Sequence, residues 1–484
     1  MAEQLPHWLT KQAHLSPHQT ALETAHRSIT FLELKEASES YAKKLAQLGV
    51  SAGTHVGILS PNEISMVIAI HALSYLQAVS VMLNTRLTEQ ELVYQIKDAK
   101  VDVVLTSDRL KADVQQMDFP VLTRTFSAIE QLEEKEVPLQ EEISLDDAFT
   151  IIYTSGTTGF PKGVVHTYGN HWWSAISSAL NLGIHAHDKW LAPLPFFHVG
   201  GLSVLMKSVI YGMPVYVLER FDVNAVHDAI MNKGVTMVSV VTVMLQRLVA
   251  LLDKERYPDT FRCMLLGGGP APRSLLEQAK EKQIPVFQSY GMTETSSQIV
   301  TLTPRDALKK IGSAGKPLFP AQLHIHDSDA RGVGEIYVKG PMVSGGYYAN
   351  ESATRKTFTD GWLKTGDLGY VDEDGFLYVV DRRKDLIISG GENIYPSEIE
   401  NVLSDMDCIR EVGVVGKQDD TWGRVPVAFV VANGERCSED KVQAYAEKYL
   451  AKYKIPKQII FVDQLPRNAS NKLVRHRLEQ WLNN

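Results

Sequence analysis

Apolar residues recur at helical spacing over 30–48 (TFLELKEASESYAKKLAQL), which predicts a helix with one buried face. HVGILS at 55–60 then predicts a strand. The longest apolar region, SMVIAIHALSYLQAVSVML at 65–83, is interrupted by His71 and Gln77. A helix followed by a strand accounts for it better than a membrane span. VDVVLTS at 101–107 and AFTIIY at 148–153 predict further buried strands. FRCMLLGGGP at 261–270 reads as strand and turn, and RSLLEQAKEKQ as a helix with Leu275, Leu276 and Ala279 on one face. VFQSYGMTET at 286–295 reads as strand and loop. That βαβ-like unit puts polar loops at strand ends, where open α/β sheets bind ligands. Helices and strands alternate in this way through much of the chain, so the fold class is α/β.

The texture changes after about residue 315 to short strands and glycine-rich turns (GEIYVKG, DGWLKTGDLGYVDEDGFLYVVDRRKD). From about 385 a separate strand pattern (EVGVVG, VAFVVANG) and one amphipathic helix at 439–452 predict a small α+β domain. LEEKEVPLQEEISLDD at 132–147 reads as an acidic, irregular connector. A chain of 484 residues is long for one core, so two or three domains are expected. Net charge of −8 disfavours nucleic-acid binding. Cys263, Cys408 and Cys437 are scattered, and MAEQLPHWLTKQ has no apolar signal core. Both features suit a reducing cytoplasm. Sequence leaves a homo-oligomer open.

YTSGTTGFPKGV at 153–164 is the first stretch with chemistry in it. Gly156, Gly159 and Gly163 let the backbone turn and aim N–H groups at an anion. Thr154, Ser155, Thr157 and Thr158 add hydroxyls, and Lys162 adds a mobile charge. The loop leaves a strand and reads as a phosphate grip, although composition alone also fits a surface loop. It is not a Walker A loop, because Gly163 follows Lys162 where that pattern needs Ser or Thr, so a metal must find its ligand elsewhere. His185/His187 and His324/His326 form HxH pairs without the rest of a zinc set.

Five motifs occur in order: YTSGTTGFPKG, YGMTET at 290–295, TGD at 365–367, DRRKDLIISGGENIYPSEIE at 381–400 and PRNASNK at 466–472. Together they resemble the acyl-adenylate-forming enzymes, the superfamily of acyl-CoA synthetases, firefly-type luciferases and peptide-synthetase adenylation domains. LPFFHVGGLSVLMKSVIYGM, LLGGGPAP, FQSYGMTETSSQIVTL and LPRNASNK are similar to the acid–CoA ligase branch that acts on o-succinylbenzoate in menaquinone biosynthesis. The resemblance implies a large adenylation domain at 1–383, a hinge at Lys384 and a mobile C-terminal domain at 385–484. It implies ATP and CoA as substrates and Mg2+ as cofactor. A carboxylate attacks the α-phosphate of ATP, and CoA then displaces AMP. The nucleophile is already ionised, so positioning and charge stabilisation carry the catalysis.

By the same resemblance, residues 154–159 and Lys162 hold the β- and γ-phosphates. Glu294 binds magnesium and Thr293 touches the α-phosphate. Gly267, Gly268, Gly269, Ser289, Tyr290, Gly291 and Met292 line the nucleotide site, with Tyr290 on adenine. Asp367 takes the ribose hydroxyls and Arg382 reaches the ribose–phosphate edge. Lys472 bridges carboxylate and α-phosphate, while Gly390 and Gly391 leave room for pantetheine.

Two readings stand for His198: a satisfied core histidine, or a wall between acyl pocket and thiol channel. Lys207 either snorkels from its apolar run to the surface or pairs with a second substrate carboxylate. Ser289, Thr295 and Gln298 are further polar candidates for the acyl pocket. The rival functions are an aryl- or fatty-acyl-CoA ligase and a nucleotide-binding protein without turnover.

Overall fold

Strands and helices alternate along the N-terminal part because each local signal is self-consistent. Helix Phe31–Leu45 starts at a capping box, in which Thr30 and Glu33 satisfy one another's backbone N–H groups. Its buried face is Phe31, Leu34, Ser38, Tyr41, Ala42 and Leu45. Helix Ile64–Tyr75 is buried on nearly all sides, which explains its unbroken apolar sequence. Among the described residues no helix is long and apolar enough to cross a membrane. The computed structural model describes residues 3–482 except 155–160, 254, 270, 307–308, 383–384, 390–391, 420–421, 435–436, 451 and 469–471.

Two large sheets carry the N-terminal part. The six-stranded sheet runs in the order Lys162–Thr167, Ala148–Thr154, Val79–Leu83, His55–Leu59, Val103–Thr106, Leu122–Thr125. It is parallel except for its first hairpin. At the centre of the nine-stranded sheet, Val286–Met292, Cys263–Gly267, Met237–Val241, Trp190–Ala192 and Val215–Val217 lie parallel. The predicted βαβ unit is there: Cys263–Gly267, helix Arg273–Glu281, then Val286–Met292 beside the first strand. One extensive core includes Val56, Met66, Phe149, Trp190, Leu205 and Phe287, drawn from strands of both sheets and from helices packed on them.

A third, antiparallel sheet contains Gln322–His326, Gly334–Lys339, Trp362–Val371 and Leu377–Arg382. The last sheet begins with Ile387–Ser389 and is centred on the long hairpin Ile409–Asp419/Gly423–Ala432. It has its own core, including Ile387, Ile399, Val414, Ala428 and Ile459.

Two expectations need correction. The C-terminal region holds helices Pro396–Ser404 and Arg475–Leu482 besides Glu439–Tyr449, where one helix was expected. Arg475–Leu482 buries only Leu478, too little for an apolar period to show. The 132–147 connector is also not irregular throughout, because Glu142–Ser144 pairs with Gln4–Pro6 near the start of the chain.

Candidate active site

The expected phosphate grip lies between two antiparallel strands, Ala148–Thr154 and Lys162–Thr167, with Thr154 and Lys162 as cross-strand partners. Ser155, Gly156, Thr157, Thr158 and Gly159 lie outside the described residues. Gly163 has a different role from the one its motif suggests. It sits in the returning strand, and a Cβ there would meet Ile151 Cγ2 at 2.9 Å and the Tyr153 ring at 3.2 Å. It is a packing glycine that admits the Tyr153 ring, whose hydroxyl donates to Asp98 Oδ2 at 2.6 Å.

Lys162 Nζ stands 5.0 Å from the centroid of the Tyr347 ring. Tyr347 Oη donates to Glu294 Oε1 at 2.8 Å. Phosphate-loop lysine and magnesium candidate are thus joined through one tyrosine that sequence reasoning missed. The 344–348 segment is held by backbone bonds from Ser344 N to the Glu294 carbonyl and from Tyr348 N to the Gly163 carbonyl, both 2.8 Å. Burial and the Glu294 carboxylate push the Tyr347 phenol up, so it stays a neutral donor. The GGYY sequence was the available signal, but nothing local in it points to Glu294.

On the nucleoside side, Gly267, Gly268 and Gly269 follow one another at the end of their strand, with Gly268 at φ +83°. Ser289 Oγ donates to the Leu266 carbonyl at 3.0 Å, tying the two strands of the βαβ unit together. Tyr290 Oη donates to Asp367 Oδ2 at 2.8 Å. Asp367 is 7% exposed and lies directly across the ladder from Arg382. The register shifts between Tyr290 and Gly291, and a Cβ on Gly291 would lie 2.0 Å from the Ser297 carbonyl oxygen. Only glycine fits that approach.

Met292 leads into a tight turn, Thr293–Thr295. The hydroxyl of Thr295, a polar candidate for the acyl pocket, is bonded within this turn. Its Oγ1 accepts from Met292 N at 2.9 Å and lies 2.6 Å from the Ser297 carbonyl oxygen. Ser296 and Ser297 follow with φ of +54° and +114°, a strained pair of the kind that persists only when its surroundings hold it. Glu294 is 3% exposed. This set suits a magnesium ion: a hard, buried carboxylate linked to the phosphate hairpin. Among the described residues no cluster of three or more His, Cys, Asp or Glu gathers at either HxH pair or elsewhere.

Acyl candidates gather around helix Val199–Tyr211. His198 is its N-cap residue. Burial first, then the charges of Arg86 and Lys472, lower its pKa to about 4, so its imidazole is neutral near pH 7. Lys472, from the far end of the chain, is therefore close enough to His198 for its charge to act there. Lys472 itself is exposed and closes a small loop, with Asn468 Oδ1 accepting from its N–H at 2.9 Å. Gly201 explains the second glycine of FFHVGG, since a Cβ there would sit 2.2 Å from the Pro195 carbonyl oxygen.

Lys207 does not snorkel. It is 1% exposed, with Nζ 4.9 Å from the Trp190 ring centroid, and among the described residues it has no carboxylate partner. Burial lowers its pKa to about 8. The same helix packs on Ser297–Thr301, where Gln298 is buried and donates Nε2 to Ser178 Oγ at 3.1 Å. Lys384, Gly390, Gly391 and the Arg382 side chain lie outside the described residues.

Tyr290 bonded to Asp367, Glu294 bonded to Tyr347 beside Lys162, and Lys472 within electrostatic reach of His198 lie on the fold of an adenylate-forming enzyme. The chain belongs to the AMP-binding enzyme family, whose model matches residues 9–348, and the AMP-binding enzyme C-terminal domain matches residues 398–472. It is 60% identical over 483 residues to a 2-succinylbenzoate–CoA ligase of Oceanobacillus iheyensis, covering 99% of this chain and 100% of that one. It also resembles the Bacillus subtilis o-succinylbenzoate CoA synthetase solved with its acyl-adenylate intermediate. That match has a TM-score of 0.94 and 47% identity, and covers 99% of this chain and 98% of the other. The same Bacillus subtilis enzyme solved with ATP and a magnesium ion matches with a TM-score of 0.93 and 47% identity, covering 99% and 100%.

Proposed function

We infer that this protein is an AMP-forming acid–CoA ligase that converts 2-succinylbenzoate, ATP and CoA to 2-succinylbenzoyl-CoA, AMP and diphosphate. The observation that carries the reading is the 60% identity, over essentially the whole of both chains, with a ligase of that activity. The activity belongs to menaquinone biosynthesis, and a cytoplasmic enzyme is the natural setting for its substrates.

Each residue then has a task that its position supports. Tyr290 lies on the adenine, and its hydroxyl holds Asp367 toward the ribose. Arg382, the cross-strand neighbour of Asp367, serves the ribose–phosphate edge. Thr154, Lys162 and the loop between them hold the polyphosphate, and Lys162 neutralises the departing diphosphate. Glu294 binds magnesium, held by Tyr347. When bound, magnesium neutralises charge on the phosphates during displacement. Thr293 touches the α-phosphate, and Lys472 stabilises the charge that develops between carboxylate and α-phosphorus. His198, kept neutral, is an uncharged wall beside the acyl group. Lys207 reads the ring carboxylate while the succinyl carboxylate is activated, and Gln298 lines the same pocket.

We place the domain boundary between Arg382, where the third sheet ends, and Ile387, where the last sheet begins, with Lys384 as the pivot. Rotation there withdraws Lys472 and presents Gly390 and Gly391 to the pantetheine arm. The deciding experiment is diphosphate release across a panel of aryl, fatty and dicarboxylic acids, with and without CoA. Release expected with 2-succinylbenzoate, but seen only with a fatty or simple aryl acid, would reassign the substrate. No release with any acid would leave only a binding protein.

A further inference from the structure

His166 is fully buried in the returning strand of the phosphate hairpin, opposite Thr150. Its Nε2 lies 2.7 Å from the backbone carbonyl oxygen of Thr293, 127 positions away. A carbonyl only accepts, so Nε2 carries the proton. In the neutral ring Nδ1 is then an acceptor, and Thr150 Oγ1, 3.3 Å away, donates to it. Having given its one proton, the Thr150 oxygen accepts from His171 Nε2 at 2.9 Å. His171 lies on helix Tyr168–Leu182 and is 1% exposed. Every proton in the chain His171–Thr150–His166 therefore points one way, toward Thr293. Burial keeps both rings neutral, with His166 lowered to about 4 and His171 held well below its ordinary value.

We propose that His166 is a positioning residue for adenylate formation, which orients the Thr293–Glu294 peptide and through it the magnesium-binding carboxylate. The peptide unit is planar, so fixing the Thr293 carbonyl also fixes the direction of the Glu294 N–H and the exit of its Cα. The turn needs such support. Ser296 and Ser297 hold left-handed backbone conformations, and three donors from outside grip the turn: His166 on the Thr293 carbonyl, Ser344 N on the Glu294 carbonyl at 2.8 Å and Ser174 Oγ on the Ser296 carbonyl at 2.8 Å. The relay also links the two halves of the phosphate site. The strand that carries Lys162 at one end carries His166 near the other, so the hairpin and the magnesium ligand are set by one rigid element. Aligned hydrogen bonds in a buried chain reinforce one another, which suits a positioning device.

The proposal rests on the ligase reading, and the test separates the two. His166→Leu removes the donor, whereas His166→Gln retains an amide N–H able to reach the same carbonyl. Single-turnover diphosphate release from 2-succinylbenzoate and ATP is compared with thioester formation from supplied acyl-adenylate, each across a magnesium titration. His166→Leu is expected to slow adenylate formation about tenfold, the scale of one buried hydrogen bond, and to raise the magnesium requirement. Thioester formation should stay within about twofold of the parent, and His166→Gln should recover most of the loss. Nitrogen-15 spectra of histidine-labelled parent protein should show a neutral Nε2–H ring that disappears in both variants. An Nδ1–H ring at this position, equal losses in both half-reactions, or no recovery in His166→Gln would overturn the proposal. If His166→Leu fails to fold, the tautomer and His166→Gln still decide it. If the parent releases no diphosphate with any acid, the ligase reading falls, while the tautomer still tests the relay.

Discussion

Tyr290 and Asp367, 77 positions apart, are joined by a 2.8 Å hydrogen bond that links the βαβ unit to the third sheet. On the ligase reading, the bond makes Tyr290 both a face for adenine and a brace for the ribose acceptor. Tyr290→Phe should keep the face and lose the brace. A hydrogen bond to a charged group contributes about 1.5–3 kcal/mol, so ATP binding should weaken by roughly tenfold or more. Calorimetric titration with ATP would measure it, and unchanged affinity would show that Asp367 is held without Tyr290.

Tyr347 contacts Lys162 with its ring and Glu294 with its hydroxyl, and Tyr347→Phe removes only the second contact. The magnesium concentration for half-maximal adenylation should rise roughly tenfold, while Lys162 keeps its aromatic partner. Tyr347→Ala should be worse because both contacts go. Equal effects of the two substitutions would place the function of Tyr347 in its ring.

Lys207→Ala should weaken the diacid and spare an analogue without the ring carboxylate. An unpaired buried charge costs about 2–5 kcal/mol, so the diacid should lose roughly thirtyfold or more in kcat/KM. A pH dependence follows from the same residue. The free enzyme's Lys207 has a pKa lowered to about 8 by burial, so it is charged below that pH and neutral above it. The preference for diacid over analogue should therefore hold at pH 7 and fall as pH rises through 8. Parallel pH profiles for the two acids would remove Lys207 from substrate recognition.

Lys472→Ala should slow acyl-adenylate formation by about a hundredfold to a thousandfold and leave thioester formation from supplied acyl-adenylate near normal. A bulky residue at Gly391 should do the reverse, and Lys384→Pro should slow only the second step by restricting the pivot. Rapid-quench measurement of each half-reaction distinguishes these outcomes.

Gly201→Ala would drive a methyl group against the Pro195 carbonyl. The backbone must shift, at about 1–3 kcal/mol, and His198, whose carbonyl accepts from Gly201 N at 3.0 Å, would shift with it. A lowered Tm together with poorer acyl binding is expected; a lowered Tm with normal binding would confine the effect to packing.

Most strands and the principal helices of the N-terminal part were legible because their signals are local. Apolar period, capping residues and glycine turns agree over 30–48, 55–60, 65–83 and 261–295. Helix Pro396–Ser404 also carried a readable mark, a proline at its first position, but at nine residues its period is short. The motifs placed Tyr290, Glu294, Asp367 and Lys472 in one functional set without showing how they are held. Tyr347 and His166 were invisible because their partners lie 53 and 127 positions away, and neither residue type is unusual in its segment. For Thr295 the hidden part was local: a polar residue in a motif looked available to substrate, yet its hydroxyl is bonded within its own turn.

The antiparallel closure of the phosphate hairpin has a consequence for turnover. A loop that opens into a helix gains the positive end of the helix dipole for its anion. Here the described chain after the loop is a strand of the same sheet, Lys162–Thr167, rather than a helix. On the ligase reading, anion retention falls to Lys162 and magnesium without the help of a helix dipole on the returning strand, and is weaker by what that dipole would add. An enzyme that must discharge diphosphate between its two steps, and AMP after the second, gains from a grip that lets go.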